Sequence, residues 1–223
     1  MSDPRIYYAM LGNQINRDLR AKITDLKDYQ ALISGTLDVQ KDKATERFKP
    51  SDSESTEEEK YFLDYMNKFY YRRHYSRYQD LFLKALIISI YSAFESIFVS
   101  TCSFIIDIHN EQISFDGISK KQKNITRYKN YLVNHRSFSF NKKLWKKIED
   151  LSDLRNILAH SDGDVTPKFN KTAERLEKHN RHIKIVGSWL EIDFQYVDEV
   201  TSTVQEALIN FQDQLHSKSL TLN

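Results

Sequence analysis

The sequence predicts an all-α protein: a helical bundle with an N-terminal helical extension and a small β-hairpin before the last helix. Three observations carry that expectation. Turn formers are scarce, with Gly 5 and Pro 3 in 223 residues, too few for the repeated reversals of a sheet protein. Apolar residues recur at helical spacing over several long stretches. One pair of short segments, Ile183-Lys184-Ile185-Val186 and Trp189-Leu190-Glu191-Ile192-Asp193-Phe194, flanks Gly187-Ser188 at the spacing of a two-residue hairpin turn.

A first helix is predicted over 8–37, where Leu11, Ile15, Leu19, Ile23, Leu26 and Leu32 mark one face. Polar and charged residues over 38–56 make an exposed connector. Ser55 and Glu58 have the spacing of a capping box, so a second helix starts near Thr56. Within it Tyr61, Tyr65 and Phe69 recur every four residues, followed by Tyr71, Tyr75, Tyr78 and Phe82, interleaved with Arg72, Arg73, His74 and Arg77. Such a row is expected to fill a core and leave a basic edge in solvent; stacking of unpaired bases is the functional alternative.

A core helix follows over 81–109, either continuous with the aromatic one or after a kink. Lys84 and Glu95 break its apolar run into pieces well short of the ~20 residues a bilayer span needs, so burial rather than membrane contact is expected. After a turn at Asp116-Gly117 come a basic helix over 120–134 and a helix over 141–160. Asn141 caps the latter, and Leu144, Ile148, Leu151, Leu154 and Leu158 face inward. The last helix, over 196–216, buries Val197, Val200, Val204, Leu208, Phe211 and Leu215. The expected division is an extension over 1–50 and a helical domain over 51–223, with one continuous domain as the alternative. A lone Cys102 excludes an intrachain disulfide, and the chain does not open on a basic-then-apolar leader, so a cytoplasmic location is expected.

A formal net charge of +2 hides a local asymmetry. Acidic residues crowd 52–59, whereas none occurs between Asp116 and Glu149. That interval holds ten lysines and arginines, from Lys120 to Lys147, interleaved with Tyr128, Tyr131, Phe138, Phe140 and Trp145. A charge run is often only a solvated face. This one leads into Arg155 and His160, so Lys142, Lys143, Lys146 and Lys147 are the candidate RNA contacts.

Arg155 and His160 are the candidate catalytic pair, with Asn156 third. A guanidinium grips two phosphate oxygens and keeps its proton, while an imidazole, titrating near about pH 6.5 when unperturbed, serves as base or acid. Five residues on a helix is about 140° of rotation, so the pair shares a face only if the helix loosens at His160, and Gly163 supplies a stop. Asn156 is placed to orient a phosphate or to hold one tautomer of His160. The bland reading is that Arg155 pairs with a buried carboxylate, Glu95 above all, and that His160 caps a helix; Glu95 would equally position Arg155 from behind. His179 and His182 lie three apart with no further ligand pattern, so no metal is expected. Five scattered glycines build neither a P-loop nor a dinucleotide fingerprint, so no cofactor is expected.

Arg155-Asn156-Ile157-Leu158-Ala159-His160 resembles the R-x4-H signature of the HEPN superfamily of helical domains, including the polar residue after the Arg. An upstream apolar helix carrying Glu95, and a strand pair plus a last helix downstream, extend the resemblance over roughly 81–215. The resemblance implies a metal-independent endoribonuclease, a toxin or antiviral effector, whose active site two subunits of a homodimer assemble. An antitoxin or defence-system partner protein is implied with it. Asp162 stands where R-x4-H-x-Y members carry a Tyr, so modification of that Tyr by partner nucleotidyltransferases finds no acceptor here. The alternative is a non-catalytic HEPN-like module for RNA binding or protein docking.

Overall fold

The structure, a computed structural model, describes residues 4–47, 56–70, 76–109 and 124–221. Within them the order is α1 Pro4–Arg47, α2 Glu57–Tyr70, α3 Ser76–Ile108, α4 Asn124–Arg136, α5 Lys142–Ser161, α6 Asn170–His179, β1 Ile183–Val186, β2 Trp189–Ile192 and α7 Phe194–Thr221. The protein is mostly helical with one small two-stranded sheet.

Side-chain contacts fix the helix directions. Early α3 meets late α5, through Lys84 and Asp162, and mid-helix residues meet through Tyr91 and Ser152, so the two run antiparallel. Helix α7 is also antiparallel to α5, with Lys147 on Glu199 and Ser139, just before α5, on Gln214. Helix α1 runs against α3, pairing Tyr7 with Phe104 and Tyr29 with Phe82. It also closes on α7 where Gly12 lies against the His216 ring; a Cβ there would come within 2.8 Å of Nε2. Phe98 centres the core, 5.1 Å from Phe211 and 5.4 Å from Trp145 between ring centres. Tyr8, Leu11, Ile15 and Ile23 of α1 belong to the same apolar cluster.

The buried stripes predicted for α5 and α7 are buried at every position named. In α1 the stripe holds at Leu11, Ile15 and Ile23 but fails at Leu32, which is 67% exposed while Leu37 turns inward. At about 100° per residue Leu37 falls on the face shared by Leu11, Ile15 and Ile23, whereas Leu32 lies more than about 100° away from the middle of it.

The aromatic row of α2 does not fill a core. Tyr61, Tyr65 and Phe69 are exposed, as is Tyr78 at the start of α3, and among the described residues of the row only Phe82 is buried. The core is already closed by α1, α3, α5 and α7, and α2 rests chiefly on α1 with Leu63 and Met66 half-buried. Its capping box is one residue later than expected: Thr56 N donates to Glu59 Oε2 at 2.9 Å and Glu59 N to Thr56 Oγ1 at 3.3 Å. Ser55, Tyr71, Arg72, Arg73, His74, Tyr75, the Asp116-Gly117 turn, Lys120, Lys121 and Lys123 lie outside the described residues.

Helix α3 is long and apolar enough to cross a membrane, yet it is the central core helix, burying thirteen residues from Phe82 to Ile105. The hairpin pairs Val186 with Trp189 and Ile183 with Ile192, and Gly187 takes the positive φ of 65° that its tight turn requires. Helix α6 has no counterpart in the sequence reading. It is less than three turns long and buries only Ala173 and Leu176, too few points to establish a period.

Candidate active site at the end of helix α5

Helix α5 begins as its sequence dictates, with Asn141 Oδ1 accepting from Lys143 N at 2.9 Å and from Leu144 N at 3.2 Å. It ends at Asp162, whose φ of 52° is left-handed, one residue before the expected stop at Gly163. An Asp tolerates that region better than most residues with a Cβ. Ser161 is still helical, so the helix does not loosen at His160 and the turn of about 140° from Arg155 to His160 stands.

Arg155 is half-buried beneath this end of the helix. One terminal nitrogen donates to Asn156 Oδ1 at 3.1 Å, and the guanidinium carbon lies 5.8 Å from the centre of the Tyr91 ring. Its Nε is sealed from solvent without a hydrogen-bond acceptor, and no carboxylate among the described residues forms an ion pair with it. Glu95, the partner expected for Arg155, makes no ion pair with it. One helical turn after Tyr91, Glu95 acts on the Tyr91 hydroxyl through its charge instead.

His160 is exposed in the last turn of α5. It sits four residues, or about 40° of rotation, from Asn156, so those two share a face. Asn156 therefore lies between the pair, bound to Arg155 on one side and adjacent to His160 on the other. No hydrogen bond links Asn156 to His160 among the described residues.

Tyr91 and Arg175 complete the surroundings, and neither is marked by its sequence context. Tyr91 is buried and donates to Ser152 Oγ at 3.0 Å. Burial lifts its hydroxyl to about 12, with Glu95 and Asp153 pushing the same way against Ser152 and Arg155. Arg175, from α6, forks across one side of α5 to bind Asp150 and, at 2.7 Å, Asp153. That fork occupies the carboxylate nearest to Arg155 in sequence. Only the fold brings Arg175 there, and a buried Tyr in an apolar helix announces itself only as core.

The four lysines are all exposed, but at the far end of the helix, with Lys142 about 27 Å from His160 along the axis. Lys146 pairs with Asp150 at 3.2 Å and Lys147 with Glu199 at 3.1 Å; Lys142 and Lys143 have no ion pair among the described residues. His182 pairs with Asp193 at 2.8 Å, and no group of three or more metal-ligating side chains occurs among the described residues. No family model, curated protein or solved structure matches this chain.

Proposed function

We propose that the chain is a HEPN-like, metal-independent endoribonuclease that acts as a homodimer in the cytoplasm, in growth arrest or antiviral defence. The observation that supports it is the state of Arg155: a half-buried guanidinium held by Asn156 and Tyr91, with the carboxylate nearest to it in sequence, Asp153, engaged by Arg175. A half-buried cation whose Nε is sealed from water without an acceptor, and which has no ion pair among the described residues, is left partly unsatisfied, and a phosphate supplies the missing charge and acceptors.

The chemistry then assigns itself. One His160 takes the proton of the 2′-hydroxyl, the 2′-oxygen attacks phosphorus, and Arg155 holds the non-bridging oxygens as charge builds on them. The bond to the 5′-oxygen breaks as a second His160 gives that oxygen a proton. The products are a 2′,3′-cyclic phosphate and a free 5′-hydroxyl. Within one chain Arg155 and His160 diverge and the motif offers only one imidazole, so a two-fold dimer supplies the second. The divergence also favours a second reading, a non-catalytic RNA-binding or docking module, if the chain is monomeric.

The test is incubation of the purified protein with mixed RNA in chelator. Cyclic-phosphate ends that disappear in His160→Ala support the reading, and cleavage that requires Mg²⁺ overturns it. A mixed dimer of wild type with the Arg155→Ala, His160→Ala double variant separates composite from independent sites: near-complete loss indicates sharing, and half the wild-type rate indicates independence.

A further inference from the structure

We propose that the groove between the start of α3 and the hairpin is a subsite for one unpaired nucleobase of the RNA, with Trp189 as its stacking surface. This rests on the ribonuclease reading. The groove encloses about 540 Å³, within the usual range for small-ligand sites, and Arg77, Asp80, Lys84, Val186 and Trp189 are among its walls.

Trp189 is 48% exposed, unusual for the residue with the largest apolar payload, and it is rigidly held. Its strand is hydrogen-bonded on both sides. Val186 pairs with it across the hairpin, and Asp164 bridges it from the segment that leaves α5. The Lys84 ammonium lies 5.5 Å from the centre of the indole. That ammonium is itself fixed, 2.6 Å from Asp80 Oδ2 and 2.9 Å from the Asp162 carbonyl, with a side chain only 5% exposed. The indole thus has a cation against part of its surface, and about half of the residue is open to solvent, a fixed platform that costs little order when a base stacks on it.

The platform adjoins the cutting end of the motif. Leu190 N donates to the Gly163 carbonyl at 2.9 Å, and Gly163 follows His160 by three residues, at most about 11 Å of chain. Arg77, exposed at the same groove, offers a cation to a flanking phosphate. A peptide helix would need an apolar strip here; Val186 is the single aliphatic side chain beside Trp189 that is largely exposed.

The experiment uses the full-length His160→Ala protein, so that RNA stays intact, with single-stranded oligoadenylate as probe. Trp145 is buried, so emission changes report on Trp189. Oligoadenylate should quench that emission. Trp189→Ala should weaken binding about 10-fold and Trp189→Phe, which keeps a stacking face, far less. An oligomer with abasic positions should bind both the parent and Trp189→Ala at the weaker level. Binding with unmoved emission and unchanged affinity in Trp189→Ala overturns the subsite and leaves the ribonuclease reading standing. Absence of both binding and wild-type cleavage overturns the two together. If Trp189→Ala loses its helical circular dichroism, quenching in the parent and weaker binding by Arg77→Glu decide instead, and failure of both overturns the subsite.

Discussion

The guanidinium carbon of Arg155 stands 5.8 Å from the centre of the Tyr91 ring, so the cation of the motif is seated on the central core helix rather than on a carboxylate. Removing the hydroxyl alone and removing the ring should separate. Tyr91→Phe takes away the hydrogen bond to Ser152 and should cost about 1 kcal/mol while leaving RNA cleavage near the wild-type rate. Tyr91→Leu also removes the aromatic face and should cost about 2–4 kcal/mol with a marked fall in cleavage. Urea denaturation alongside a cleavage assay distinguishes them.

Tyr91 also sets an alkaline limit. Its hydroxyl is held at about 12 in the folded chain, chiefly by burial, against an ordinary 10.0. A group whose folded value is raised contributes stability that is complete below pH 10.0 and lost as pH climbs through about 12. Unfolding midpoints measured across that window should fall, and fall less steeply in Tyr91→Phe. Phenolate absorbance of the native protein should show Tyr91 titrating late, with the buried Tyr196 pushed up further still; loss of the earlier of these late steps in Tyr91→Phe identifies Tyr91.

The helices that pack on two sides were legible in the sequence because packing writes a period. The stripes on α5 and α7 and the Asn141 cap needed only local rules. Features that depend on what arrives from elsewhere in the chain were not legible. The α2 aromatics carry a core-like period, but their exposure depends on α1 having already covered α3 and α7. Arg155 and His160 were visible as types at a spacing. The absence of an ion pair to Glu95, the Arg175 fork and the seat on Tyr91 all arise between segments far apart in sequence. Lys84 carries a legible signal of its own, since a lysine in an apolar helix must find partners for the same reason as Glu95, and it finds Asp80 and the Asp162 carbonyl.

Arg175→Ala should release two carboxylates on α5. With side chains only partly shielded, the loss should be about 1–2 kcal/mol in thermal or chemical unfolding. Cleavage should fall further than stability explains, because a freed Asp153 repels the phosphate that Arg155 is proposed to hold. Arg175→Lys, which cannot span both acids as a fork, should recover little.

The lysines should divide by their ion pairs. Reversing Lys142 and Lys143 to Glu should lower the salt dependence of RNA binding by about one unit of slope per lost phosphate contact. Reversing Lys146 and Lys147 should lower it less and destabilise the fold more, since each already faces a carboxylate. Binding isotherms at several salt concentrations read both, and slopes unchanged from wild type in both double variants would place all four lysines in plain solvent.

Gly163→Ala should be worse than Gly187→Ala. Both glycines have positive φ, 86° and 65°, so each substitution carries backbone strain of about 1 kcal/mol or more. At Gly163 the new methyl also comes within 3.0 Å of Lys84 Cε and Nζ, whereas nothing lies within 4 Å at Gly187. Comparing the two melting temperatures checks this, and equal losses would mean that Lys84 moves aside freely.

Lys84 has a consequence for the order of events during synthesis. Its partners outside α3 are Asp162, 78 residues later, and Trp189 beyond that. A ribosome that has released α5 has therefore made the motif but not the hairpin that leans on its end. The local helix forms early, while the knot of Lys84, Gly163 and Trp189 waits for contacts of long sequence separation, which are slow to close. The end of α5 is thus among the last parts of the fold to be completed, and a nascent or truncated chain ending before Trp189 carries Arg155 and His160 without the clasp that fixes the turn beyond them.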